Sequence, residues 1–185
     1  MKFVLSLILG LSILVGVGCA SHSKNMATPE QVEALNKLLE QRFFVITADW
    51  ARPLPTQSMN AIANAGLLPF NSTLNRIDLA DSESYLRIAG DSAIARFPYF
   101  GEQQMPGIYN PKDAGIEFKG VPTDFKMTAN ERQGGYNMSF EINDGTENFE
   151  VTAIILPSNY STVSIVSTHR RLIQYFGKIS ADTNE

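Results

Sequence analysis

The strongest constraint in this chain is a pair of alternating runs joined by a turn dipeptide. Tyr136, Met138, Phe140 and Ile142 are apolar at every second position, Asp144-Gly145 intervenes, and Phe149, Val151, Ala153 and Ile155 repeat the pattern. A period of two gives a strand one apolar face, and Asp-Gly supplies the positive φ angles of a tight hairpin. Similar runs lie on both sides. Phe44, Ile46, Ala48 and Trp50 alternate until Pro53 and Pro55, and Asn75, Ile77 and Leu79 suggest a second strand. Tyr85 to Ala89 and Ser92 to Phe97 flank Gly90-Asp91 as a hairpin. Ile116 and Phe118, then Phe125, Met127 and Ala129, precede the central pair. Val163 and Ile165 follow it, and a last strand is expected over about 171–179.

About nine or ten short strands with adjacent turns predict a mainly β fold, an antiparallel meander. That many strands need closure or a second packed layer to manage their edges, so the expectation is an open barrel or a two-layer sandwich. One N-terminal α-helix joins it. Thr28-Pro29-Glu30-Gln31 combines an N-cap, a proline at the first helical position and a capping-box glutamine. Val32, Leu35 and Leu39, with Leu38 beside them, form one stripe suited to packing on a sheet. The stretch 56–72 is ambiguous: Met59 and Ile62 before Gly66 fit a short helix, while Met59, Ala61, Ala63 and Leu67 fit an irregular strand. It is read as mostly loop. The segment 102–114 has no period, and Pro106, Gly107 and Pro111 discourage both helix and ladder. With Met105, Ile108 and Tyr109 in it, it is expected to fold back over the aromatic corner before it, as an ordered lid.

Two such corners occur, Tyr99-Phe100-Gly101 and Tyr175-Phe176-Gly177, each at the end of an extended run. Phe100 and Phe176 are expected in the core. The functional alternative is an apolar cleft for a small or lipidic ligand, lined by Tyr99, Phe100, Tyr109, Tyr175 and Phe176.

The N-terminus places the protein in the cell. Lys2 precedes an apolar run over 3–17, which is a secretory signal and falls short of the roughly 20 residues of a spanning helix. Gly16-Val17-Gly18-Cys19 resembles a bacterial lipobox, with glycine where leucine is usual. Cleavage after Ala20 is the rival reading. Cys19 is the only cysteine and stands at the expected place, so it is read as lipidated and the signal as residues 1–18. Residues 19–28 are then a lipidated tether, 29–180 one β-rich domain and 181–185 a flexible tail. Loss of Lys2 leaves 14 basic against 19 acidic side chains, a formal charge of −5, so nucleic acid is not an expected partner.

No catalytic set stands out, and the protein is expected not to be an enzyme. His22 falls in the tether, and His169 is flanked by Arg170 and Arg171, which disfavour a metal ion. Two histidines and one lipidated cysteine make no zinc spacing, Asp144-Gly145 lacks the rest of a calcium loop, and nucleophile-elbow, phosphate-loop and dinucleotide motifs are missing. No cofactor is expected. Asp49, Asp78, Asp81 and Asp91 suit turns and strand ends better than a glycosidase pair, and Arg96, Arg170 and Arg171 suit ion pairs on an exposed strand face.

Several stretches carry a resemblance. Tyr85-x-Arg-Ile-x-Gly-Asp91, Phe97-Pro98-Tyr99-Phe100-Gly101, Gly115-Ile116-x-Phe118, and Val166-Ser167-x-x-Arg170 leading to Tyr175-Phe176-Gly177 resemble a domain-of-unknown-function family of lipoproteins from Gram-negative gut anaerobes. The match runs over about 41–179. Family members usually have leucine at Phe97 and arginine at Glu102. The resemblance implies a mainly β fold and a cell-envelope location, and brings no catalytic or ligand-binding residues with it. The residues after Cys19 lack the aspartate that retains such lipoproteins in the inner membrane and the acidic cluster of surface export, which implies the periplasmic face of the outer membrane. The functional expectation is a lipid-anchored binding or structural module with an envelope protein or glycan as partner. The alternative is a carrier of a small or lipidic ligand in the aromatic cleft or barrel interior.

Overall fold

The computed structural model describes residues 27–104 and 115–182. The first helix, α1 (Pro29–Glu40), starts as its sequence dictates. The Gln31 N–H donates to Thr28 Oγ1 at 3.3 Å and the Thr28 N–H donates to Gln31 Oε1 at 3.0 Å, so two otherwise unpaired donors are satisfied reciprocally. Its stripe turns Leu35 and Leu39 into the core.

Ten strands are described: β1 (Phe43–Pro53), β2 (Ile77–Asp78), β3 (Tyr85–Ala89), β4 (Ser92–Phe97), β5 (Ile116–Gly120), β6 (Thr123–Asn130), β7 (Gly135–Asp144), β8 (Glu147–Ile155), β9 (Tyr160–Ser167) and β10 (Ile173–Ala181). They form one antiparallel sheet in the order β5-β4-β3-β1-β10-β9-β8-β7-β6, with β2 added on β1. The first and last long strands pair at its centre, while β5 and β6, neighbours in sequence, are its two edges. The sheet curls until these edges approach. The Phe118 ring on β5 lies 5.2 Å from Phe149 on β8 and 6.3 Å from Phe140 on β7. The result is a half-barrel, the open-barrel form of the expected fold. Its concave side is filled by the alternating residues, among them Phe44, Phe97, Phe118, Phe140, Phe149 and Tyr175.

The alternation of β1 does not run unbroken to Trp50. The pairing of β1 with β10 slips by one residue between Ala48 and Trp50. This bulge keeps Phe44, Ile46 and Ala48 buried, puts Ala51 and Pro53 in the buried positions after it, and pairs Trp50 with Phe176 instead. Their rings stack at 3.8 Å, nearly parallel at 5°. Gly177 pairs with Ala48 at the bulge, where a Cβ would meet the Thr47 carbonyl oxygen and come within 2.7 Å of Ala48 Cα. Glycine is needed there because the two backbones approach more closely than a side chain allows.

The stretch 56–72, expected as mostly loop, contains a second helix, α2 (Gln57–Asn64). The helical reading of Met59 prevails because Thr56 Oγ1 accepts the Met59 N–H at 3.2 Å and Met59 is the helix's one buried side chain. The competing alternation had no buried face to serve. Strand β10 runs past the expected end at 179 to Ala181, and Asp182 pairs with Arg87 at 3.1 Å.

Candidate functional site

The two Tyr-Phe-Gly segments, more than seventy residues apart in sequence, meet at the Phe97 end of β4. Tyr175 points inward from β10. Its ring stacks on Phe97 at 4.1 Å, and its hydroxyl donates to the Pro98 carbonyl at 2.8 Å. The Tyr99 hydroxyl lies 2.9 Å from the Glu102 carbonyl oxygen and 3.2 Å from that of Arg171, so one hydrogen serves two acceptors. The Gln104 N–H donates to the His169 carbonyl at 2.7 Å, and Gln103 forms a bridge with Arg170. Each tyrosine thus holds the other segment's backbone. Gly101 leaves room for this, since a Cβ there would sit 2.6 Å from the Tyr99 hydroxyl.

Under the junction is a buried ion pair. The Arg170 guanidinium contacts Glu147 Oε2, and the Ser167 hydroxyl donates to Glu147 Oε1. His169 Nδ1 lies 3.7 Å from the same carboxylate. The N–H groups of His169 and Arg170 donate to Ser167 Oγ at 3.2 Å and 2.9 Å. The Arg170 guanidinium also sits 5.7 Å from the Tyr99 ring centre. This corrects the expectation for Arg170, which is buried in the end of the barrel and not on an exposed strand face. The other two arginines do serve surface pairs, Arg96 with Glu83 and Glu117, and Arg171 with Glu102. Glu147 escaped the sequence reading; its only signal was its place at the start of a strand just after the Asp144-Gly145 turn.

The cluster is a hydrogen-bonded ion pair. The Ser167 hydrogen is committed to a carboxylate, so no imidazole takes it as a general base would. The carboxylate in turn is neutralised by Arg170. Glu102 connects the junction to α2: hydrogen bonds from the Ser58 and then the Thr56 hydroxyls hold its carboxyl below the usual carboxylate range.

The structure separates the aromatic residues singled out by sequence. Tyr175 is core, while Tyr99 and Phe100 are half-buried and pack against it. Phe100 is therefore less enclosed than expected. Phe176 is 9% exposed, on the other face of β10 against Trp50, with the Arg52 guanidinium 4.9 Å from its ring centre. The four described rings do not line one surface. Tyr109, the rest of the expected lid over 105–114, and Cys19 lie outside the described residues. A shallow cleft of about 290 Å³ opens elsewhere, at the Gly90-Asp91 end of β4, between Arg42, Ser92, Val121 and Phe125. Asp91 there pairs with Arg42 at 3.2 Å, and Asp78 Oδ1 accepts the Ala80 N–H at 2.9 Å, which are turn and surface roles. Among the described residues, no three His, Cys, Asp or Glu side chains are placed to hold a metal ion.

Burial raises the Tyr175 hydroxyl well above its ordinary pKa of 10.0. The folded state keeps this proton at pH values where the unfolded chain releases it. Stability is therefore fully present below pH 10 and declines as pH rises above it. Tyr175→Phe should remove part of that alkaline decline and cost about 0.5–1.5 kcal/mol at neutral pH for the lost bond to Pro98. Urea melts of both proteins between pH 7 and pH 11 check this; parallel curves would refute it.

A family model described as "Domain of unknown function (DUF4251)" matches residues 27–179. The crystal structure of a DUF4251 family protein from Bacteroides eggerthii DSM 20697 is similar, with a TM-score of 0.53 and 14% sequence identity, covering 82% of this chain and 88% of that one. At that identity the likeness concerns the fold. No curated protein matches the chain. Because the family model spans the whole half-barrel up to β10, this chain belongs to the DUF4251 family of domains of unknown function.

Proposed function

We propose that the protein is an exported lipoprotein, anchored through Cys19 to the periplasmic face of the outer membrane, and that it acts by binding an envelope protein or glycan and not by catalysis. The observation that carries the binding reading is the filled concave side. Phe44, Phe97, Phe118, Phe140, Phe149 and Tyr175 are each no more than 2% exposed, and their packing takes the place a carried ligand would need in the barrel interior. The mutual commitment of Ser167, Glu147 and Arg170 supports the non-catalytic part. The anchor rests on the signal-like run and the single cysteine that ends it.

Growing cells with a fatty-acid analogue tests the anchor. The wild type should take up label and Cys19→Ser should not. Label on the serine variant, or on neither protein, would refute lipidation. Native mass spectrometry of protein purified from its own host tests the binding reading: a retained small molecule would replace it with that of a carrier.

A further inference from the structure

The segment between β1 and β2 is unusual in composition and placement. From Pro53 to Asn75 it contains no Asp, Glu, Lys, Arg or His, in a chain that is 18% charged. It includes α2, whose single buried side chain is Met59, so the helix is mostly bare. Leu54 and Ile62 are exposed, Leu67 is 72% exposed and Phe70 is 89% exposed. These side chains are not on a loose loop. The Leu67 N–H donates to the Ile62 carbonyl, the Ser72 N–H donates to the Pro69 carbonyl, and Ser72 Oγ accepts the Asp78 N–H at 3.0 Å. Leu68, between the two protruding residues, packs on the core. The chain thus spends hydrogen bonds and a buried leucine to hold Leu67 and Phe70 in water, an arrangement that calls for a partner.

Charge at the two ends of the segment indicates which kind. Arg52 precedes it and Arg76 follows it, both exposed. Their guanidinium groups lie over the outer faces of the stacked pair, Arg52 at 4.9 Å from Phe176 and Arg76 at 4.8 Å from Trp50. Among the described residues neither forms an ion pair with a carboxylate. Uncharged turns presenting single large apolar side chains, bordered by two arginines without ion-pair partners among the described residues and by a tryptophan, match the layering of a bilayer interface. Apolar tips enter the acyl boundary, while the arginines stay level with the phosphates.

We propose that residues 53–75 are a membrane-docking face, with Leu67 and Phe70 inserted into an anionic lipid surface and Arg52 and Arg76 on its phosphates. The proposal rests on the anchored reading only for bringing a bilayer near, and the experiment supplies the bilayer independently. The full chain carries a hexahistidine tag after Glu185 and is held on vesicles of phosphatidylethanolamine and phosphatidylglycerol containing a small fraction of nickel-chelating lipid. An environment-sensitive dye is placed on Asn64→Cys, within the face but at neither inserting side chain, or on Glu131→Cys, in the β6–β7 turn. Dye on an unmodified Cys19 would be common to both proteins and cancels.

The expected result is a blue shift at position 64, quenching there by spin-labelled lipid, and neither effect at 131. Leu67→Asp combined with Phe70→Asp should abolish the shift. Both side chains are exposed, so the fold should survive, and unchanged far-UV circular dichroism checks that. No shift at 64 on tethered protein, an equal shift at 131, or a shift that survives the double substitution would overturn the proposal. So would a dye silent on vesicles but shielded in native envelope fractions, which would assign the face to a protein partner. Flotation without nickel reads the Cys19 anchor separately.

Discussion

Replacing Arg170 with methionine is expected to cost about 3–5 kcal/mol, the usual cost of stranding one charge of a buried pair. Methionine retains the apolar stem, so lost packing contributes little. What remains is the Glu147 carboxylate, buried, with the Ser167 hydroxyl and His169 Nδ1 as its remaining polar neighbours among the described residues. The control is the double variant Glu147→Leu, Arg170→Met. If the effect comes from the stranded charge, the double variant should be more stable than Arg170→Met alone, because an apolar pair of similar volume avoids the desolvation cost. Urea denaturation with a common m-value measures both. A loss below about 1 kcal/mol for the single variant would mean the pair is solvated as a surface salt bridge is. The consequence would reach beyond one ion pair, since Gln103 and Gln104 attach to the same short stretch as Arg170.

Phe176→Ala should be similarly severe, at about 3–5 kcal/mol for a buried phenylalanine. The ring is enclosed away from the main core, between Trp50 and the Arg52 guanidinium. Its removal uncovers one whole face of the indole and takes away the ring under the arginine. Trp50 is the only tryptophan, so its emission should shift to the red in the folded variant, a readout that a general loss of stability does not produce. Phe100→Ala should cost clearly less, because Phe100 is half-buried and only flanks the core. Equal losses for the two variants, or an unchanged Trp50 spectrum in Phe176→Ala, would contradict the stacked arrangement.

The pairing of two similar tripeptides illustrates how much is hidden in a linear pattern. In both segments an aromatic pair precedes a glycine, and both glycines relieve a close approach. The approaches differ. Gly101 makes room for its own tyrosine's hydroxyl, whereas Gly177 makes room for the backbone of β1. The tyrosines share a task, each bonding to a carbonyl of the other segment's stretch, Tyr175 to Pro98 and Tyr99 to Arg171. The phenylalanines do not: Phe100 flanks the core from a loop, and Phe176 stacks on the outer face.

Local physics was enough to determine the N-terminal helix and most of the strands. Alternation with a period of two, turn dipeptides such as Gly90-Asp91 and Asp144-Gly145, and the capping box at Thr28 each act over a few residues, and each corresponds to an observed element. The mainly β class followed from them. Tertiary structure decided whatever depended on which strands meet. Curling of the sheet brought β5 against β7 and selected the open barrel over a sandwich. A bulge at the β1–β10 pairing moved Trp50 away from the face its alternation suggested, because a one-residue slip exchanges the two faces of a strand. The helix over 57–64 was left open by periodicity, since its residues fit two periods, and the Thr56 cap together with the burial of Met59 favoured one. Arg170 reads from sequence as an ion-pairing charge on an exposed strand face and Glu147 draws no reading, because burial of a charge depends on a partner 23 positions away that no local pattern marks.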